Sequence, residues 1–192
     1  MNDKRHYSLI LIALLAISLS GCKKKIPQTR AKLNNWHHVS IWTIKGKMAI
    51  NNGQESGSGR IVWQQKKKSH ETKAQFKAPL GQGSWEIHES ANNATLISSK
   101  TGTKKAENAQ ILIQQELGWD FPWNKLKFWL RAYVQQAELP KHKTKVAFLD
   151  ENGWHITFAK WIDTPMGLLP KKIKASKPPY TVKLIIYQWN IE

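Results

Sequence analysis

The sequence Trp-Thr-Ile-Lys-Gly-Lys-Met-Ala-Ile at residues 42–50 shows the pattern on which the architecture depends. Apolar residues and one glycine occupy every second position, with lysines and a threonine among the positions between them. Because successive side chains of a strand point to opposite faces, this alternation predicts a β-strand with one buried and one solvated face. The sequence Asn51-Asn52-Gly53 that follows is typical of a turn.

The same alternation recurs before and after a central region of different periodicity. It predicts strands around Ile61 and Trp63, Thr72 to Phe76, Trp85 to Ile87, Asn93 to Ser99, Lys145 to Leu149, Trp154 to Trp161, Leu169 to Ala175 and Thr181 to Ile191. Asn152-Gly153 is a strong signal for a hairpin turn. Short amphipathic strands joined by polar turns indicate an antiparallel sheet with one face buried.

The central region predicts two helices. Residues 106–118 carry apolar residues among Glu and Gln and suit a helix that ends at Gly118. Pro122 suits the first turn of a second helix, which extends from Trp123 to Tyr133. Its apolar stripe contains Trp123, Leu126, Trp129 and Leu130. The predicted order is five strands, two helices and then four to six strands.

The N-terminus has the three parts of an export signal. A basic start with Lys4 and Arg5 is followed by an apolar stretch at residues 9–19 and by Leu19-Ser20-Gly21-Cys22. The apolar stretch is far shorter than the roughly 20 residues that span a bilayer as a helix. Small residues before a lone cysteine resemble the lipobox of bacterial lipoproteins. The alternatives are a secreted protein with a buried free thiol and a short signal anchor.

The chain therefore divides into three predicted segments. Residues 1–21 form a lipoprotein signal peptide, residues 22–35 a lipidated flexible tether that begins at Cys22, and residues 36–192 one domain. Cys22 is the only cysteine, so no intramolecular disulfide is available and acylation accounts for it. Lys23-Lys24-Lys25 can lie against anionic headgroups at about 1 kcal/mol each.

The formal net charge of +17 favours an anionic partner. Phospholipid, lipopolysaccharide, an acidic protein and nucleic acid all carry this sign, and export makes nucleic acid the least expected of them. The charge identifies the sign of the partner and leaves its class open.

Ten tryptophans are several times the ordinary share for a chain of 192 residues. They could fill the core of an antiparallel sheet, or they could line an apolar cavity between a curved sheet and the two helices. Composition leaves both open. Leu80, in the loop Ala78 to Gly83, could fold back onto the sheet edge or project into a bilayer or partner.

Catalytic chemistry has no visible carrier in the sequence. The seven histidines are scattered, without the spacing of a zinc site, and no nucleophile elbow or phosphate loop occurs. No pair of carboxylates stands out in an apolar setting. We therefore expect a protein that is not an enzyme and that uses no metal or cofactor; an envelope hydrolase is a minor alternative.

Ordered short motifs along the mature chain resemble the LolB family of outer-membrane lipoproteins. They include Trp36, Gly46-Lys47-Met48-Ala49, Trp63-Gln64-Gln65, Pro79-Leu80-Gly81, Gly118-Trp119-Asp120-Phe121-Pro122, Leu126, Trp129-Leu130, Gly153-Trp154-His155-Ile156 and Val182-Lys183-Leu184-Ile185 to Trp189. Arg131-Ala132-Tyr133 departs from the glycine and proline that commonly follow Trp-Leu in the family.

This resemblance implies an incomplete antiparallel β-barrel, closed by a helical lid over an apolar cavity for acyl chains. It implies a monomer in the outer membrane, lipid-anchored and facing the periplasm, which accepts lipoproteins from the carrier LolA and inserts them into the membrane lipid. Lys23 after the lipidated cysteine fits that destination. Leu80 would help cargo into the membrane. The candidates for the cavity lining are Trp63, Phe76, Trp85, Trp119, Trp123, Leu126, Trp129 and Leu130. The competing hypothesis is an envelope structural or assembly lipoprotein, whose Trp-rich sheet is packed or binds a partner.

Overall fold

The structure is a computed structural model that describes residues 38–118, 122–131 and 146–192. The strands in these ranges are β1 (Ile41–Asn51), β2 (Ser56–Lys66), β3 (Glu71–Lys77), β4 (Ser84–Glu89), β5 (Ala94–Ser98), β6 (Gly102–Ala106), β7 (Ala147–Glu151), β8 (Trp154–Thr164), β9 (Gly167–Lys177) and β10 (Tyr180–Ile191). The helices are α1 (Ala109–Leu117) and α2 (Trp123–Leu130), and a 3-10 turn covers Pro79–Gly81. The prediction of a mostly β fold is confirmed.

Several sequence predictions fall outside the described residues. They concern the signal peptide at residues 1–21, Cys22, the tether at residues 22–35, Trp119 and the extension of the second helix to Tyr133. These stay predictions.

One antiparallel sheet contains all ten described strands. Its order is β6-β5-β4-β3-β2-β1-β10-β9-β8-β7, so the first and last strands of the sheet in sequence, β1 and β10, pair at its centre. The edges are β6 and β7, which do not pair with each other in the described part of the chain. The sheet is therefore open, as expected for an incomplete barrel.

The alternating pattern places one face of the sheet against the helices. In β1 the side chains of Trp42, Ile44, Met48 and Ile50 are all buried. Together with matching positions on the other strands and on both helices they form one continuous apolar cluster. We call the side of the sheet that contributes to this cluster the inner face, and we call its solvated opposite side the outer face.

Gly46 interrupts the large residues of the β1 inner face for a steric reason. A Cβ atom at this position would lie 2.3 Å from the carbonyl oxygen of Ile185 on β10. The register between the two strands shifts at Lys45 and Gly46, which is the signature of a β-bulge. A bulge bends a sheet, and this one lies at the centre of the sheet where curvature brings the two edges toward each other.

Strand β6 is absent from the predicted strands, and the first helix begins later than the predicted residue 106. Residues 102–106 read Gly-Thr-Lys-Lys-Ala and are mostly exposed, because β6 is an edge strand with little to bury. The helix begins at Ala109, after Asn108, whose side chain accepts a hydrogen bond from the Ile111 amide at 3.0 Å. It ends, as predicted, at Gly118, which has a left-handed backbone (φ 64°).

Four strands follow the helices in the described part of the chain, within the predicted four to six. The hairpin between β7 and β8 turns at Asn152 and Gly153, which both have positive φ (51° and 79°), as a type I′ turn requires. Neither α1 nor α2 is long and apolar enough to cross a bilayer, and no other helix among the described residues is either.

Candidate functional site

The inner face of the sheet and helix α2 together contain seven of the eight residues predicted to line a cavity. Each of the seven is buried, with at most 9% of its surface exposed: Trp63, Phe76, Trp85, Trp123, Leu126, Trp129 and Leu130. The eighth, Trp119, lies outside the described residues. The sheet contributes three of the seven and α2 contributes four.

The three sheet residues lie on adjacent strands. Phe76 on β3 is directly opposite Trp85 on β4, and their rings stack with centroids 5.4 Å apart. Trp63 on β2 is opposite Ala74, whose small side chain leaves room beside the larger rings. The alternation of each strand therefore builds a continuous aromatic patch.

Helix α2 lies over this patch with its predicted apolar stripe inward. Trp123, Leu126, Trp129 and Leu130 are buried, whereas Asn124 between them is exposed. The ring of Trp123 packs on Trp63 at 4.3 Å between centroids. An acyl chain could pass between these two rings only if α2 moved away from the sheet.

A buried carboxylate on β4 holds the beginning of both helices. Glu89 is only 9% exposed and accepts a hydrogen bond from the Trp123 indole N–H at 2.7 Å. Its other oxygen accepts from the backbone amide of Ala109, the first residue of α1, at 2.9 Å. The side chain of Gln110 on α1 also accepts from the Trp123 amide at 2.8 Å, so the two helices are tied to each other.

The expectation from the sequence concerned pairs of carboxylates only, and it did not single out Glu89 as a buried carboxylate. The sequence did contain a signal, since Trp85, Ile87 and Glu89 continue one alternating series. An indole donor and a helix N-terminus together supply the partners that a buried carboxylate needs.

A second carboxylate holds the other end of α2 to the far edge of the sheet. Glu151 on β7 accepts from the Trp129 indole N–H at 2.9 Å and from the Lys125 ammonium at 2.5 Å. These bonds lower the pKa of Glu151 below its ordinary value of 4.5, with Lys125 the largest cause. Two indole–carboxylate bonds thus fasten α2 across the open sheet, from β4 to β7.

The lowered pKa makes the contribution of Glu151 to stability depend on pH. Carboxylates with a depressed folded-state pKa stabilise the fold above the unfolded value and lose that contribution as pH falls through the folded value. We expect wild type to exceed Glu151→Gln in unfolding free energy at neutral pH by at most about 1 kcal/mol, because the groups are partly exposed.

That advantage should shrink below about pH 4.5 and vanish once Glu151 is protonated. Chemical denaturation of both proteins across this range measures it, with Glu55→Gln as a control at an exposed carboxylate. An advantage that stayed constant down to pH 3 would contradict the assignment of the stability to the ionised form.

Two indole N–H groups of the inner face have no acceptor. Trp63 Nε1 and Trp85 Nε1 are buried and make no hydrogen bond within the described part of the chain. By contrast, Trp123 and Trp129 donate to carboxylates. Folded proteins leave few buried donors unpaired, because each costs about 1–3 kcal/mol.

Leu80 projects from the 3-10 turn after β3. Its side chain is 96% exposed and its backbone has φ 52°, a left-handed conformation that leucine rarely adopts. The turn is closed by hydrogen bonds from Ala78 N to Gly83 O (2.9 Å) and from Gln82 N to Pro79 O (3.1 Å). The reading in which this leucine folds back onto the sheet edge is wrong.

A cavity of about 500 Å³ lies near the ends of β2, β3 and β4, and its lining is polar. Its lining includes Lys66, Glu71, His88 and Ser90. The Ser90 hydroxyl donates to the carbonyl oxygen of Asn93 at 3.4 Å, and His88 contacts Glu86. These contacts pair no serine nucleophile with a histidine base. Nor do any three His, Cys, Asp or Glu in the described ranges cluster to hold a metal ion.

Comparison with known proteins gives the same family as the motifs. The model of the family "Outer membrane lipoprotein LolB" matches residues 40–189. The chain is 27% identical to the outer-membrane lipoprotein LolB of Marinomonas sp. (strain MWYL1), over 96% of this chain and 98% of that protein. It is 30% identical to LolB of Nitrosomonas europaea, over 79% and 73% of the two chains.

A solved structure from Vibrio parahaemolyticus has a similar fold. It is a domain assigned provisionally to outer membrane lipoprotein sorting. The two align with a TM-score of 0.51 and 13% identity, over 88% of this chain and 91% of the other. At this identity the likeness supports the open β fold alone.

Proposed function

Because the chain belongs to the LolB family of outer-membrane lipoproteins, we propose that it takes lipoproteins from a LolA-like periplasmic carrier and inserts them into the outer membrane. Family membership makes it an outer-membrane protein of lipoprotein localisation, and the family's role is trafficking. The handover, the acyl-chain site, the periplasmic orientation, the monomeric state and the absence of catalysis belong to the proposal.

The transfer is physical and makes no covalent bond. Each CH₂ group of an acyl chain that leaves water for an apolar site gains about 0.8 kcal/mol, so the chains cannot cross the periplasm exposed. A receptor must offer an apolar site at the moment the carrier releases them. For the handover to proceed, that site must bind the chains better than the carrier does, and the bilayer must bind them better still.

The aromatic patch under α2 is the observation that carries the proposal. It is apolar, it lies on the inner face of an open sheet, and a helix fastened at two points covers it. Movement of α2 would expose Trp63 and Trp123 together. Helix α2 is held by these end contacts and by the burial of its four apolar side chains, but it can move without breaking the backbone ladder of the sheet, because no strand pairs with it.

The unpaired indoles of Trp63 and Trp85 support an acyl ligand over a permanently filled core. The acyl chains of lipoproteins are attached through ester and amide groups, whose carbonyl oxygens accept hydrogen bonds. A cargo seated with its chains on the aromatic patch could satisfy these two donors. The ligand would then recover a cost that the empty protein bears.

Transfer of a labelled lipoprotein from LolA tests the proposal directly. We expect the chain with Cys22→Ala to take cargo from the carrier in solution, because the anchor is separate from the aromatic patch. The readout is label that co-purifies with the receptor instead of the carrier, with the carrier alone as control. Failure of this folded variant to take any cargo would contradict the proposed function.

The competing function is that of a structural or assembly lipoprotein. The close contact of Trp63 with Trp123 at 4.3 Å favours it, since it resembles a finished core. A fluorescent fatty acid distinguishes the two hypotheses. Saturable binding that a natural fatty acid displaces indicates an acyl-chain site, whereas no binding by a folded protein indicates a packed core.

A further inference from the structure

The outer face of the sheet carries cations that oppose one another across neighbouring strands. Lys77 on β3 is directly opposite Arg60 on β2, and Arg60 is directly opposite Lys47 on β1. All three side chains are exposed. Directly opposite residues of an antiparallel pair have Cβ atoms about 4.5–5.5 Å apart, so the charges are close neighbours.

The series continues on the other half of the sheet. Lys183 on β10 is directly opposite Lys174 on β9, and Lys172 lies two residues before Lys174 on the same face. Ile185 connects the two halves, because it is opposite both Lys47 and Lys172. We call this set the cationic row: Lys47, Arg60, Lys77, Lys172, Lys174 and Lys183.

Among the residues that the structure describes, no carboxylate forms an ion pair with the cationic row. Strands β1, β2, β9 and β10 contain no Asp or Glu. Elsewhere on the outer face lysines do have partners, as in Lys73–Glu86 at 3.0 Å. No member of the cationic row forms an ion pair with any described residue.

This arrangement of like charges lowers the stability of the protein, and the fold does not require it. Like charges directly opposite each other in a sheet are destabilising. The Cβ atoms of each pair lie closer than the Debye length of about 8 Å at physiological salt, so solvent ions screen the repulsion only partly when the two side chains extend side by side. Three like pairs in a protein that places carboxylates beside other lysines indicate a surface built for an anionic partner.

The position of Leu80 identifies the class of that partner. Lys77 is the last residue of β3, and the turn that presents Leu80 begins two residues later. An exposed apolar side chain beside a band of cations is the arrangement by which proteins bind the headgroup region of anionic membranes. An acidic protein would account for the cations but would leave Leu80 in water.

We propose that the cationic row binds the phosphate groups of anionic phospholipids and so holds the domain on the membrane surface while Leu80 enters it. This inference rests on the proposed membrane delivery and names the surface that contacts the bilayer. The row orients the open sheet at the membrane, and its contribution is separate from that of the lipid at Cys22.

Binding to vesicles tests the inference. Every described strand and helix lies after residue 38, so the chain of residues 22–192 with Cys22→Ala retains the whole fold without the anchor. We expect it to bind vesicles of phosphatidylethanolamine with phosphatidylglycerol, and to bind vesicles of phosphatidylethanolamine with phosphatidylcholine far less. Added salt should weaken the first interaction.

The test variant neutralises three members of the row, Lys47→Gln, Arg60→Gln and Lys183→Gln. It should bind anionic vesicles roughly 100-fold more weakly, since each cation near such a surface contributes about 1 kcal/mol, which is about a factor of five in affinity. Its melting temperature should stay equal or rise, because like-charge pairs are removed. The matched control, Lys68→Gln with Lys104→Gln and Lys105→Gln, changes the same net charge on exposed residues outside the row.

Wild-type affinity in the triple variant, or equal losses in both variants, would overturn the inference. Normal vesicle binding with slower uptake from LolA would also overturn it and would assign the row to an acidic face of the carrier. Cargo uptake is measured on the same proteins, so the two hypotheses fail separately. Wild type that takes no cargo from LolA contradicts the proposed function, whereas wild type that takes cargo normally but shows no preference for anionic vesicles contradicts the cationic row alone.

Discussion

Replacing Leu80 by glutamate should abolish delivery of cargo to the membrane while uptake from the carrier stays normal. The leucine side chain is almost fully exposed, so no packing is lost in the folded protein. Transfer of leucine from water into an apolar medium gains about 1.5–3 kcal/mol, and a carboxylate at the same place opposes entry. We expect at least about a 100-fold slower transfer from the loaded receptor to outer-membrane vesicles.

Two further variants separate the side chain from the turn. Leu80→Gly relieves the strain of φ 52°, so it should fold at least as stably as wild type and still fail to deliver. Phe148→Glu places the same charge on another exposed apolar residue, on the edge strand β7, and should deliver normally. Normal delivery by Leu80→Glu would remove the role assigned to this leucine.

Glu89→Ala should lower the free energy of unfolding by about 3 kcal/mol, the largest stability loss that we expect from a single polar substitution. The change leaves the buried Trp123 indole N–H and the Ala109 amide without their acceptor. Each unsatisfied buried donor costs about 1–3 kcal/mol. Chemical denaturation followed by tryptophan fluorescence measures the loss.

Two variants at the same end of the sheet control for this effect. Glu107→Ala removes an exposed carboxylate two residues before α1 and should change stability by less than about 0.5 kcal/mol. Glu89→Gln keeps one acceptor oxygen but turns an amide donor toward a donor, so its loss should be intermediate. If Glu89→Ala were as stable as Glu107→Ala, the carboxylate would not hold the helices.

The sequence predicted those parts of the fold in which periodicity and turn chemistry agree. Alternation located nine strands because each buries one face, and Gly118 and Asn152-Gly153 marked a helix end and a hairpin through their backbone requirements. Strand β6 was not predicted, because an edge strand buries almost nothing and its residues therefore follow no alternation. The order of the strands in the sheet was not predicted either, since periodicity carries no information on which strands pair.

The candidate site was predicted in composition and missed in its polar contacts. The apolar stripe of α2 and the aromatic residues of β2, β3 and β4 are on the expected face. The carboxylates of Glu89 and Glu151 were missed because each acts through a tryptophan more than 20 residues away in sequence. The hydrogen-bond partners of the indole N–H groups could not be predicted, because a sequence does not reveal which tryptophans find an acceptor.

The direction of β1 sets how far the domain must reach from its anchor. β1 runs toward the end of the sheet that carries the Leu80 turn, so Ile41 lies at the opposite end, about 36 Å away for a strand of 11 residues. Fully extended, the segment from Cys22 to Ile41 spans at most about 65 Å. If Cys22 is fixed in the same membrane that Leu80 enters, a segment of that length is long enough for the Leu80 end of the domain to reach the membrane surface. A segment of half that length would keep the Leu80 turn away from the bilayer.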